Sequence, residues 1–282
     1  MPAWRHEMYP DSSTLHAESS ARGTVRDVRK TGFLLATVVV LLASSLNAGP
    51  ARGVTNPDGF KQAGDWMASL WVKDTAGGPD RRICGAALVA PQWVVTAAHC
   101  VAFGDIAYAR LGEGTSGAKL EVVARLWHQR YNKDSYVNDV GLVKLAQPVD
   151  VTPVALPPKA DEALRAVENL SVMGWGEDQN GLTPGTLAFA RQVDMSNQGE
   201  TFFTTFNPLL QIAAGRYMDR ERVYSGACRG DSGGPLVATF GTTEVLVGVV
   251  SYGATDCNAA NPTAYTRISA YLDWLDQAFR SA

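Results

Sequence analysis

Apolar and polar residues come in short bursts along most of this chain, and each burst ends at glycine, proline or a polar turn. Trp66 to Val72, Gly85 to Val89, Trp93 to Thr96, Tyr108 to Leu111, Leu120 to Leu126 and Val140 to Leu145 are apolar or β-branched runs of strand length. A second set follows at Leu170 to Trp175, Leu187 to Val193, Pro235 to Phe240, Val245 to Tyr252 and Thr263 to Arg267. Many short strands at this spacing predict an all-β sandwich or barrel rather than a helical or α/β chain. Between the sets, Gln147 to Ala160 carries Pro148, Pro153, Pro157 and Pro158. Proline has no N–H for a ladder and holds an extended course, so this stretch reads as a crossing between two halves. One helical pattern closes the chain. Leu272, Leu275 and Phe279 share a face, Asp273 and Asp276 lie outward, and Ser269 stands where an N-cap belongs.

The pattern changes near the N-terminus. Phe33 to Leu46 is the one long apolar run; Arg22, Arg26, Arg29 and Lys30 precede it, and small residues follow through Ala51. It is short for a membrane span and suits the apolar centre of a secretory signal. Residues 1–52 are therefore expected to be a signal or pro segment outside the fold, with the rest of the chain exported and secreted. The stretch ahead of the run is long for a signal, so a start at Met8 and retention of the segment as a membrane anchor both stay open. Gly49-Pro50-Ala51 is a usable cleavage site.

Composition changes this picture little. Of 282 residues, 46% are hydrophobic and 19% charged, which fits a globular chain. A net charge of -3 gives no footing for nucleic acid or an anionic membrane as partner. Four cysteines in an exported chain imply two disulfides, for which arithmetic leaves three pairings. No C-x-x-C pair and no second nearby histidine supports a metal site.

The candidate chemistry centres on Cys228-Arg229-Gly230-Asp231-Ser232-Gly233-Gly234-Pro235-Leu236, a serine in a glycine-rich turn that opens an apolar strand. A serine hydroxyl needs a base and donors for the oxyanion it creates, and glycines let backbone N–H groups converge. Alone, such a turn is as readily an ordinary Gly-Ser hairpin. Upstream, however, lie Val94-Val95-Thr96-Ala97-Ala98-His99-Cys100 and Asn138-Asp139-Val140-Gly141-Leu142-Val143-Lys144-Leu145. Taken singly, His99 would read as a core histidine beside a disulfide and Asp139 as a turn residue before a strand. Together they give base, acid and nucleophile in the order His99, Asp139, Ser232. An α/β-hydrolase would need a G-x-S-x-G elbow and the serine first, so that class is excluded.

This set of motifs resembles the chymotrypsin-like (trypsin-like) serine endopeptidases over roughly residues 53 to 280. The resemblance implies two six-stranded antiparallel β-barrels packed together with a short C-terminal helix. Barrel one would span about 53–150, barrel two about 165–268 and the helix about 269–280. It implies hydrolysis of protein or peptide substrates through an acyl-enzyme on Ser232, without a cofactor or metal. His99 would be base and acid, Asp139 would orient it, and the N–H groups of Gly230 and Ser232 would form the oxyanion hole. It pairs Cys84 with Cys100 and Cys228 with Cys257. Ser251 would lie on the strand that pairs with extended substrate, and Gly226, Gly253 and Thr263 would line the specificity pocket. With Gly226 at the floor, cleavage after Lys or Arg is not expected; small to medium apolar residues are, with Asp256 and Arg229 able to bias the rim. A monomer that meets a proteinaceous inhibitor fits the same resemblance.

The chain departs from the family in places. Active members usually begin with Ile or Val followed by Val-Gly-Gly, whose new amino group pairs with the aspartate before the nucleophile, here Asp231. That sequence is missing, and the matching stretch by counting is Gly53-Val54-Thr55-Asn56 after Arg52. Arg52 is a candidate processing site that would give a chain starting at Gly53, or at Val54 if cut one bond later; a Gly53 terminus would lack an apolar anchor, which leaves Asp231 as a buried carboxylate in need of a partner. Ala213 and Thr201 stand where a further disulfide is common, and the stretch from Leu111 to Leu120 has Glu113 but no acidic calcium loop. The altered N-terminal stretch keeps open a second function, a non-catalytic protease homologue that binds a partner.

Overall fold

The strand Arg81–Ala90 (β3) is buried without a break from Cys84 through Val89, and the reason organises the molecule. Alternate side chains of a strand point to opposite faces, so a continuous buried run needs cover on both sides. Cys84, Ala86 and Leu88 pack inward with Val94, Val143 and Leu145, while Ala87 and Val89 pack the other way against Val95, Leu142, Val249, Ile268 and Leu275. One face fills a barrel; the other meets a second barrel and the C-terminal helix. The computed structural model describes residues 54–281 except 103, 113–116, 160–168, 179, 184, 221, 254–256 and 258–259. The expected signal or pro segment and the Asp256 rim position lie outside the described residues.

Barrel one is β2 (Met67–Val72), β3, β4 (Trp93–Thr96), β7 (Gly141–Leu145), β6 (Leu120–Trp127) and β5 (Tyr108–Leu111), paired antiparallel in that order, with β5 returning to β2. β6 alternates between half-buried and exposed positions along its whole length, as an outer strand with one wet face must. Barrel two is β8 (Leu170–Gly174), β9 (Ala188–Asp194), β10 (Gln211–Met218), β14 (Thr263–Arg267), β13 (Thr243–Tyr252) and β12 (Pro235–Phe240). Ala214 opposite Asp194 and Gly215 opposite Val193 close the ring between β10 and β9. Two short strands, β1 (Gly59–Phe60) and β11 (Val223–Ser225), attach to β9 and β10.

The proline-bearing stretch joins the barrels physically. Val154 N–H donates to Leu88 O at 3.0 Å in barrel one, and Ala155 O accepts from Leu246 N–H at 2.9 Å in barrel two. The helix Leu272–Arg280 (α2) buries Leu275 and Ala278 in the seam and leaves Asp273 and Asp276 outside, as its pattern required. Its start differs from expectation. Ser269 lies within a 3-10 turn, Ile268–Tyr271, and the cap position of α2 is Tyr271, with no side-chain capping bond. Burial of Ile268 and Tyr271 fixes the entry to the helix in place of a cap.

The barrels approach most closely at Gly85. Its N–H donates to Ser232 O at 2.9 Å, and a Cβ there would lie 2.8 Å from Gly234 Cα. Backbone cannot yield as a flexible side chain can. Gly85→Ala is expected to lower folding stability by about 1–3 kcal/mol, the range for overpacking a filled site. Gly185→Ala, where a Cβ would meet nothing within 4 Å, should be close to neutral in the same urea titration. Equal midpoints for the two variants would mean that Gly85 is not a fixed contact.

Candidate active site

The site forms where three turns meet in the seam. β4 ends at Thr96, whose hydroxyl donates to Gly85 O at 2.9 Å, and the chain turns at once into the short helix Ala98–Ala102 (α1). The Cys84–Cys100 disulfide, with Cα atoms 6.3 Å apart, ties that helix to β3. His99 stands on α1 with 21% of its side chain exposed, so one ring edge is open and the other faces protein.

The protein-facing edge meets Asp139. His99 Nδ1 is 2.8 Å from Asp139 Oδ2, and the His99 backbone N–H donates to Oδ1 at 2.9 Å. The Asp139 side chain is fully buried and receives a further hydrogen bond, from Ser251 Oγ to Oδ2 at 2.6 Å. Thr266 Oγ1 donates to the Asp139 carbonyl at 2.7 Å. The preceding Asn138 has a φ of 60°, which asparagine tolerates, and is held by Tyr271 OH at 3.1 Å. Desolvation opposes charging of His99, but the charge and hydrogen bond of Asp139 prevail and hold the imidazole above its ordinary value. The open edge, Nε2, is left to exchange a proton with another group.

Ser232 lies on the adjoining turn. Gly233, at a φ of 71°, presses against the His99 turn so closely that a Cβ would lie 3.0 Å from Ala97 N. Left-handed geometry and lack of space both require glycine there. Within this turn Asp231 N–H donates to Cys228 O, Gly233 N–H to Val250 O and Gly234 N–H to Asp231 O. The N–H groups of Gly230 and Ser232 have no acceptor among the described residues, and Gly230 takes a φ of 88°. No hydrogen bond joins Ser232 Oγ to His99 within 3.5 Å in this unliganded chain; such contacts commonly tighten only when substrate arrives.

Around the turn, the other sequence-derived positions come together. Cys228 and Cys257 are bonded, with Cα atoms 5.2 Å apart. Thr263 Oγ1 accepts from Ala227 N–H at 3.2 Å, and a Cβ on Gly226 would lie 2.6 Å from that same oxygen. A Cβ on Gly253 would lie 3.7 Å from Thr263. These three residues thus border one space, with the threonine side chain filling part of it. Ser251 faces Asp139 rather than this space. Cys84, His99 and Cys100 offer ligand atoms within 4.8 Å of one another, but both sulfurs belong to a disulfide, so they cannot form a metal cage.

The stretch ahead of β1 is also placed. Val54 is fully buried among Val172, Leu236 and Tyr265, and Thr55 exchanges backbone hydrogen bonds with Gly226 at 2.9 and 3.2 Å. Of the two candidate first residues, Gly53 has no apolar side chain, whereas Val54 packs into the core of barrel two. Asp231 is buried, accepts from Gly176 N–H at 2.7 Å and from Cys228 N–H at 2.9 Å, and burial pushes its carboxyl up to about 7 against the pull of those bonds and of Arg82.

Other neighbours were not read from the sequence. Tyr136 meets His99 edge-on with ring centres 6.0 Å apart, and lies tilted against Tyr252 at 5.4 Å, which meets Phe203 edge-on at 5.1 Å. Tyr136 adopts a φ of 55°, unusual for a bulky residue. Its signal in the sequence was its place three residues before Asp139; nothing in the pattern marked Phe203.

Comparison with known proteins agrees with this geometry. Residues 55–275 match the trypsin family. The chain is 31% identical to human cathepsin G over 259 residues, covering 88% of this chain and 94% of that protein. It is 33% identical to bovine duodenase-1 over 260 residues, covering 88% and 96%. It is also 34% identical to rabbit vitamin K-dependent protein C over 212 residues, a match that spans 68% of this chain but 45% of that relative's length. Sequence, barrels and the match over most of the chain lead to one assignment: this chain belongs to the trypsin family of serine endopeptidases.

Proposed function

We propose that this chain is an exported serine endopeptidase that cuts protein or peptide substrates through an acyl-enzyme on Ser232. The observation that carries the reading is the buried Asp139 carboxylate bonded to His99 Nδ1, on a turn that abuts the Ser232 turn. With its proton held at Nδ1, the neutral imidazole offers Nε2 as base. Ser232 Oγ attacks the scissile carbonyl carbon as its proton passes to Nε2. The carbonyl oxygen becomes an oxyanion and takes the N–H groups of Gly230 and Ser232, which have no acceptor among the described residues. Collapse breaks the C–N bond, and His99 returns the proton to the leaving amine. Water then repeats the sequence: His99 takes its proton, hydroxide adds to the acyl carbon, and Ser232 leaves with the proton restored. Asp139 stabilises each imidazolium that forms on the way.

Gly226, Gly253 and Thr263 border the proposed specificity pocket, and Thr263 Oγ1 occupies depth that a glycine would leave open. None of the three carries charge, which supports preference for small to medium apolar side chains before the cut bond. Export is supported by the Phe33–Leu46 run and by two disulfides, which persist in oxidising compartments. No described helix is long and apolar enough to cross a membrane. The domain is read as 53–282, acting as a monomer and open to a proteinaceous inhibitor at the same cleft.

Three measurements test this reading. A fluorophosphonate should add once, at Ser232, to the folded full chain or to a chain beginning at Gly53, and leave Ser232→Ala unmodified; no adduct on either folded chain would instead favour the binding homologue. Labelling should rise with pH through a midpoint above 6.5, because Asp139 stabilises the imidazolium and only neutral His99 is a base; a midpoint below that value contradicts the pairing. The same sign governs stability: the contribution of the pair is full below 6.5 and fades as pH rises through the folded value. Thr263→Gly should move peptide-library preference toward larger apolar residues by about tenfold, the scale of one or two methylenes. Dominant cleavage after Lys or Arg in the wild-type chain would overturn the pocket assignment.

A further inference from the structure

The hairpin of β10 and β11 carries a pair of tyrosines that the proposed reaction does not use. Tyr217 and Tyr224 face each other across it, with ring centres 5.1 Å apart. Tyr224 meets Phe202 edge-on at 5.9 Å, Phe202 meets Phe203 at 6.4 Å, and Phe203 meets Tyr252 at 5.1 Å. Tyr217 is 48% exposed and the other four rings are half-buried, so together they form a continuous aromatic ridge open to solvent. The ridge is held firmly. Phe206 is buried against Phe203 with ring centres 6.0 Å apart, and a Cβ on Gly199 would run into the Phe206 ring. The Asn207 carbonyl accepts from Leu210 and Gln211 N–H, which closes the loop that bears Phe202 and Phe203. Tyr252 lies between Ser251 and Gly253, beside the proposed pocket for the residue before the cut bond, so the ridge begins at the cleft and runs away from it.

Three features set what such a ridge takes. β10 is paired along its length to β14, β9 and β11, and Gly226 after β11 to Thr55, which leaves side chains rather than a ladder to hold an incoming chain. The five ridge residues carry no charge, Arg216 beside Tyr217 is engaged by Asp58 at 2.7 Å, and Asp219 and Arg220 beyond it are of opposite sign. Edge-on and tilted rings leave furrows between them, and the tyrosines add hydroxyl donors. A polyproline II segment answers all three: apolar rings, free carbonyls, and little entropy left to lose in a rigid aromatic groove. We propose that this ridge docks a proline-rich, extended segment of the substrate on the N-terminal side of the cut bond. The ring-to-ring path from Tyr252 to Tyr217 is at most about 22 Å, or about seven residues at ~3.1 Å each. Recognition therefore reaches well past the residues that flank the scissile bond. Its assignment to substrate rests on the reading of this chain as an endopeptidase; the binding itself does not.

Binding is tested on the full chain carrying Ser232→Ala, so that the probe is not cut. Fluorescence anisotropy of a labelled peptide of three Pro-Pro-Leu repeats should show affinity about tenfold above that of Gly-Ser or Ala-Ala-Leu peptides of equal length. Tyr217→Ser and Tyr224→Ser should each weaken it about fivefold, and Tyr217→Phe, which keeps the ring, should stay within about twofold. Equal affinity for the three peptides, or binding unmoved in both serine variants, overturns the proposal. Should Tyr224→Ser melt early, Tyr217→Ser, at an exposed position, decides alone. With Ser232 restored, the same repeats joined ahead of a valine p-nitroanilide should lower KM about tenfold and leave kcat unchanged, and Tyr217→Ser should remove that gain. Tight binding without a change in KM overturns the assignment to substrate. If nothing is cut while the repeats still bind through Tyr217, the ridge stands and the endopeptidase reading fails.

Discussion

A carboxylate with no exposure must find its donors in protein, and Asp139 finds them in both barrels. His99 comes from the turn after β4 in barrel one; Ser251, next to the end of β13 in barrel two, donates to the carboxylate, and Thr266 of β14 donates to the Asp139 backbone carbonyl. Losing either set would leave a buried charge short of partners, which is more costly than never having made the pair. The seam between barrels is therefore fixed at one register by a polar group as well as by apolar packing. The apolar residues around it, Val95, Leu142, Val249 and Ile268, keep water from screening the charge. A site assembled from two halves gains its geometry from the same contact that holds them together.

Much of this was legible in the sequence because strand runs and turn residues are local signals. The six strands of barrel one were all marked, since β-branched runs such as Trp93–Thr96 leave little choice. Gln211–Met218 was missed: Gln-Ile-Ala-Ala-Gly-Arg has weak strand propensity, and β10 exists because β14 and β9 offer it edges on both sides. Arg81 and Arg82 were left outside β3 because charged residues break an apolar run, although their backbone pairs with Val72 and Trp71. The Ser269 cap failed for a related reason. Burial of Ile268 and Tyr271 outweighs the modest gain from one capping hydrogen bond, so the chain turns earlier.

At the site, the motifs of His99, Asp139 and Ser232 were readable as words, but the bonds around them were not. The backbone of Ser251 was assigned to substrate pairing, and its hydroxyl takes a further part that the pattern did not mark, a 2.6 Å bond to Asp139. The register shift in β13 between Val250 and Tyr252 is the local irregularity at this point, and a bulge is invisible to a period-two reading. Tyr136, Tyr252 and Phe203 meet only because two separate loops converge on the end of β13, which no spacing rule encodes. Val54 was legible only as one of two possible first residues, Gly53 being the other, because counting back from Trp66 does not fix the cut to a single bond; Val54 is the one that packs into the core of barrel two.

The two buried aspartates make opposite demands on their surroundings. Asp139 has an imidazole at 2.8 Å whose charge comes and goes within a catalytic cycle, so its carboxylate must be stable both with and without a cation. The hydroxyl of Ser251 and the backbone N–H of His99 meet that need, since neither titrates. Asp231 instead has two backbone N–H donors, from Gly176 and Cys228, neither of which titrates. A permanent partner suits a group that sets a shape, and a titrating one suits a group that supports proton transfer. Asp231 immediately precedes Ser232 and Asp139 meets His99, so one carboxylate positions the nucleophile while the other serves the base. The division follows from which elements surround each: a strand-to-turn peptide in one case, a helix start and a hydroxyl in the other.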